Sequence, residues 1–134
     1  MWIFMNDAFL SIVTPRLHDV PKPLRGRDLL LVRARKRGDI QRVFPKVRVT
    51  RTPRRDYAFR AFVPRPRVIN AIGQRLLDME YGNFKDSVVN NERHTAYSRV
   101  WTVMYNYQGN DCQPRRYTFD RSYNLWPDEH YAGN

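Results

Sequence analysis

The stretch "LLLVRARKRGDIQRVFPKVRVTRTPRRDYAFRAFVPRPRVINAIGQRLLDM", residues 29–79, decides the fold, because the spacing of its apolar residues switches repeatedly between two and about 3.6. Residues 29–35 are aliphatic and β-branched and predict a strand, closed by Lys36, Arg37 and Gly38. Asp39 suits the N-cap of a short helix that stops at Pro45. Residues 46–52 set Val47 and Val49 against Arg48 and Thr50, and residues 57–63 set Tyr57, Phe59, Ala61 and Val63 against Ala58, Arg60 and Phe62. Both read as strands, joined through the turn at 53–56. Pro66 fits the first turn of a helix, and Ile69, Ile72, Leu76 and Met79 follow at helical spacing.

Upstream, residues 2–4 and 8–13 read as a hairpin around Asn6 and Asp7. Residues 14–28 carry Pro15, Pro21, Pro23 and Gly26 and predict an irregular, exposed connection. Downstream, residues 92–107 repeat a helical stripe of Tyr97, Val100, Trp101, Met104 and Tyr105. The order strand, short helix, hairpin, helix predicts an α+β domain over residues 1–108 with an antiparallel sheet. Its core is expected to be ferredoxin-like (split βαβ), with an N-terminal β-hairpin, an extra C-terminal helix and an aromatic tail over 109–134.

The segments "MWIFMNDAFLSIV", "LLVRARKRGDIQRVFP", "DYAFRAFVP", "DMEYGNFKDSV" and "AYSRVWTVMYNYQ" together span about residues 1–108. As a set they resemble a family of small uncharacterised bacterial and phage proteins that open on a Met-Trp-aliphatic-Phe strand and end in a Val-Trp-rich helix. The resemblance implies a domain boundary near residue 108 and a bacterial or phage source, and it carries no activity. The aromatic tail and the extra arginines depart from that pattern.

With 134 residues, 42% of them hydrophobic and 13% aromatic, the chain has enough apolar material for a packed core and is not a disordered tail. The apolar start is broken by Asn6 and Asp7 and lacks a basic leader, so neither a signal peptide nor a membrane span is expected, and the setting is read as cytoplasmic. Cys112, the single cysteine, excludes an internal disulfide.

Charge is the most informative quantity. The formal net charge is +11, and residues 1–67 hold 17 basic against 5 acidic residues whereas residues 68–134 hold 7 against 8. Of the 24 basic residues 20 are arginines, whose planar fork suits phosphates and carboxylates and stacks on bases. Nucleic acid is therefore the first expected partner, RNA or single-stranded DNA before duplex, because the basic residues fall on strands and loops and no recognition helix is evident. An acidic protein surface is the alternative partner.

Strand alternation sharpens this expectation. With Leu30, Val32 and Ala34 facing inward, Arg33 and Arg35 face outward, and Arg48, Arg60 and Phe62 join them on one sheet face. Cations around an exposed ring form a platform on which phosphates pair and a base stacks. Lys36 and Arg37 after the first strand, and Arg51, Arg54 and Arg55 around the hairpin turn, extend the basic surface. The tail aromatics Tyr117, Tyr123 and Trp126 are expected to anchor a partner.

A protein-binding inhibitor or adaptor of a bacterial nucleoprotein machine, of the phage anti-defence or anti-CRISPR type, is the second reading. The third is a metal-independent ribonuclease using Arg93, His94 and Tyr97, which share a helix; the competing reading of Tyr97 is a packed stripe. His18, His94 and His130 have no zinc spacing, and no phosphate loop or dinucleotide fingerprint is present, so no metal or cofactor is expected. An open sheet face would also permit a dimer.

Overall fold

The computed structural model describes residues 1–109. Strands β1 (Trp2–Phe4) and β2 (Phe9–Val13) form the N-terminal hairpin, closed by the Met5 N–H donating to the Ala8 carbonyl at 2.8 Å around Asn6 and Asp7. β3 (Leu29–Ala34), α1 (Asp39–Val43), β4 (Thr50–Arg51), β5 (Phe59–Pro64), α2 (Arg65–Leu77) and α3 (Asn91–Gln108) follow. The strands make one sheet in the order β1-β2-β3-β5-β4, with every neighbouring pair antiparallel. The fold is α+β, as the alternating periods predict.

Register places one alternating set on a single face. Ile3 stands opposite Leu10, Ile12 opposite Val32, Leu30 opposite Val63, and Ala34 opposite Phe59. Ile40, Val43 and Phe44, at and just beyond α1, cover this face together with Val68, Ala71 and Ile72 of α2. Leu10, Val32, Ala34 and Val63 are sealed from solvent, which is the burial that holds the domain together.

Four local expectations are corrected. Asp39 does not cap α1. Gly38 takes that place with φ 91°, a left-handed conformation that favours glycine, and Asp39 becomes the first helical residue with its carboxylate turned to partners elsewhere. The strand expected over 46–52 shrinks to two residues, because Pro45 and a positive φ of 66° at Lys46 redirect the chain. Val47 and Val49 nonetheless pack against the core.

Tyr57 lies before β5 and stacks on Arg33 and Arg35, which point away from the helices, so it does not share the face of Phe59 and Ala61. The face of α2 is also shifted. Val68, Ala71 and Ile72 meet the sheet, whereas Ile69 and Leu76 are more than 60% exposed and Met79 falls beyond the helix. The helix turns this smaller set, rather than the larger Ile69 and Leu76, toward the core.

The connection over 14–28 is irregular, holding two 3-10 turns at Leu17–Asp19 and Lys22–Leu24. The chain divides into two units, Met1–Arg99 and Val100–Asn134. Within the second, the described part of α3 exposes Val100, Val103, Met104 and Tyr107, and the Trp101 and Tyr105 rings stack at 5.2 Å. Tyr117, Tyr123 and Trp126 lie outside the described residues. Among those described, no helix is long and apolar enough to cross a membrane.

Candidate anion-binding site

The sheet face turned away from the helices carries a row of polar residues set by register. Ser11 stands opposite Arg33, Arg33 opposite Arg60, and Arg60 opposite Thr50. Two guanidiniums thus face each other across β3 and β5, an arrangement that costs stability unless something compensates it. Arg60 is compensated: its Nε donates to Thr52 Oγ1 at 3.1 Å and its Nη2 to Asp56 Oδ1 at 3.0 Å.

Among the described residues no carboxylate compensates Arg33. Its Nη2 donates to Ser11 Oγ at 2.7 Å, while its buried Nε has no hydrogen-bond partner among the described residues. It packs on Tyr57, whose buried ring is contacted by the guanidiniums of Arg33 and Arg35, 4.5 and 4.6 Å from its centroid. Arg35 also donates from Nη1 to the Asp56 carbonyl at 2.8 Å. Cation–π contact fixes the planes of both guanidiniums without neutralising either one.

Over this row opens a hollow of about 390 Å³. Leu31, Arg33 and Arg60 of the sheet line it, as do Arg16 and Asp19 of the 14–28 connection and Arg55 and Asp56 of the β4–β5 hairpin. Four arginines meet two aspartates, and one of those carboxylates is already engaged by Arg60. The lining thus brings four guanidiniums, whose fork donors suit an anion, to one recess.

The expected outward residues therefore divide. Arg33, Arg35, Arg60 and Phe62 do lie on one face, but the face is not an open platform. Leu31 and Ser11 are buried, and the 14–28 connection and the turn before β5 reduce the open part to the hollow. Arg48 is exposed and lies outside β4. Arg37, Arg48, Arg51, Arg54 and Arg55 are all exposed and join no ion pair among the described residues. Lys36 pairs with Glu92, and that hydrogen bond holds the Glu92 carboxyl below its ordinary pKa.

Arg93 and Tyr97 come together in a different setting. Arg93 donates from Nη2 to Asp39 Oδ1 at 2.8 Å and from Nη1 to Oδ2 at 3.1 Å. Asp39, 1% exposed, also accepts from Arg42 Nη1 at 3.0 Å and from the Phe9 N–H at 3.0 Å. Tyr97 Oη accepts from Arg93 and offers its proton to the carbonyls of Met5 and Ala8, at 3.1 and 3.0 Å. Burial opposes the Arg93 charge, yet Asp39 and Tyr97 outweigh it and hold its pKa above the usual arginine value. Burial pushes the Tyr97 phenol up as well, against the pull of Arg93.

These bonds fasten the β1–β2 turn and α1 to the start of α3. Arg75 adds a second tie, donating to Asp7 Oδ2 at 3.1 Å and to the Arg42 carbonyl at 3.0 Å. The His94 ring is partly exposed and makes no hydrogen bond or ion pair among the described residues. Sequence reasoning missed Asp39 and Arg75 as network members. The available signal was an aspartate beside a glycine at a helix start, which reads equally as a cap.

No family model matches the chain, and no curated protein or solved structure does either.

Proposed function

We propose that the protein is a non-enzymatic binding module for single-stranded nucleic acid, RNA or DNA, with the arginine-lined hollow as the centre of its contact surface. The observation that carries this reading is Arg33. It is a guanidinium stacked on Tyr57 with no carboxylate partner among the described residues, facing Arg60 across the sheet and lining a recess shared with Arg16 and Arg55. The exposed Arg51 and Arg54 lie on the same hairpin as Arg55 and supply further phosphate contacts along a strand. Saturation of Arg93 and Tyr97 by structural bonds counts against the ribonuclease.

Within this proposal the β3-α1-β4-β5-α2 order is read as a split βαβ unit of ferredoxin-like kind, the family resemblance suggests a bacterial or phage source, and the interrupted apolar start is read as fitting a cytoplasmic setting. The exposed Ile69, Leu76 and Leu77 of α2 favour a second reading, a protein-binding adaptor or inhibitor.

The test is titration of nuclease-treated protein with labelled single-stranded RNA, single-stranded DNA and duplex at two salt concentrations, with gels run for cleavage. Salt-sensitive binding without cleavage is expected. Replacing Arg48, Arg51 and Arg54 together by alanine should flatten the salt dependence by about 0.7 in slope for every phosphate that is no longer neutralised. Absence of binding at low salt overturns the reading and turns attention to α2.

A further inference from the structure

We infer that the hollow takes a phosphate monoester, and that its source is the terminal phosphate of a nucleic-acid strand; this rests on the nucleic-acid reading above. Charge decides between a terminal and an internal phosphate. Arg16, Arg33, Arg55 and Arg60 stand against Asp19 and Asp56, which leaves the lining at +2. An internal phosphodiester brings a single negative charge and leaves half of that excess uncompensated. A terminal monoester brings about −1.5 to −2 near pH 7 and matches it.

Geometry points the same way. Arg16 and Arg55 reach the recess from two separate segments, over a surface carrying Arg33 and Arg60. A monoester presents three terminal oxygens to such a surround, whereas a diester presents two. Tyr57 locks the Arg33 guanidinium before any ligand arrives, so little ordering is needed on binding. The hollow, of about 390 Å³, has room for a phosphate and its attached sugar.

The experiment compares one short single-stranded sequence carrying a 5′-phosphate, a 3′-phosphate or hydroxyls at both ends, by fluorescence anisotropy with the full chain at pH 7.5 and low salt. Adenosine monophosphate and inorganic phosphate serve as competitors. One phosphorylated form should bind about tenfold more tightly than the hydroxyl form, the effect of one additional charge-assisted contact. That preference should fade below about pH 6, where the monoester gains a proton.

Arg16→Ala with Arg55→Ala should abolish the preference, so that phosphorylated and hydroxyl-ended strands bind alike and all more weakly than the hydroxyl form binds the parent, while the thermal midpoint stays nearly unchanged, since both side chains are exposed. Equal binding of all three strands overturns the inference and leaves the nucleic-acid reading standing. Binding of adenosine monophosphate or phosphate, abolished in the double variant, with no strand bound, overturns the strand end as the source. Binding of nothing overturns both.

Discussion

Arg93 and Arg33 are both shielded arginines in contact with a tyrosine, and they do opposite things. Arg93 meets a buried carboxylate with both Nη atoms, so its charge is spent within the fold and joins α3 to α1 and the β1–β2 turn. Arg33 meets Tyr57, a serine hydroxyl and another arginine, so its charge is held in place and meets no carboxylate among the described residues. Residue type and burial do not distinguish an arginine whose charge is spent in the fold from one proposed to meet a ligand. The carboxylate does, because only an opposite charge removes the field that an external anion would otherwise feel.

The contrast can be broken most severely at Asp39. Replacing it by alanine leaves Arg93, Arg42 and the Phe9 N–H without their shared acceptor, and a loss of about 3–5 kcal/mol in unfolding free energy is expected from chemical denaturation. A loss below about 1 kcal/mol would mean that the network is not what holds α3.

Tyr97→Phe keeps the ring contacts with Phe4 and Phe84 but removes the phenol from the Met5 and Ala8 carbonyls. A cost of about 1–2 kcal/mol is expected. It also gives a pH signature. Because burial raises the folded phenol above its ordinary 10.0, the unfolded chain ionises first. The associated stability is complete below about pH 10 and is lost as pH rises through the raised value. Thermal midpoints measured from pH 8 to 11 should therefore fall less steeply in the variant than in the parent.

Gly38→Ala probes the placement of the buried carboxylate. The left-handed φ of 91° at Gly38 turns the chain into α1 with Asp39 as its first residue. The nearest obstacle to an added Cβ is the flexible end of Arg42, 3.4 Å away, so backbone strain dominates and a cost of about 1 kcal/mol is expected.

Arg33→Gln should change stability least, by about 0.5 kcal/mol or less, since removal of the stacking on Tyr57 is offset by relief of its opposition to Arg60. Nucleic-acid affinity should nonetheless fall measurably at low salt. A variant that unfolds instead would place Arg33 with Arg93 among the structural arginines.

Much of this was legible in the sequence. The alternation in 29–35 and 57–63 assigned Val32, Ala34, Ala61 and Val63 to the core and Arg33 and Arg60 to the other face, because a pleated strand permits only two directions. Tyr57 was not legible, since the chain bends before Phe59 and the two-residue period stops applying there. Nor was the buried face of α2, because Ile69, Ile72 and Leu76 make as good a stripe on paper as Val68, Ala71 and Ile72. Only the packing of α2 in the folded domain selects the smaller set.

By itself the sequence determined an α+β chain with an antiparallel sheet and an excess of arginine in its first half, for local periodicity and charge are properties of neighbours along the chain. Tertiary structure alone decided which arginines meet carboxylates. Asp39 and Arg93 are 54 positions apart, and the 14–28 connection meets the hairpin at 55–56 only across a folded sheet. Charge compensation acts through space over a few ångströms, and no pattern along the chain encodes that distance.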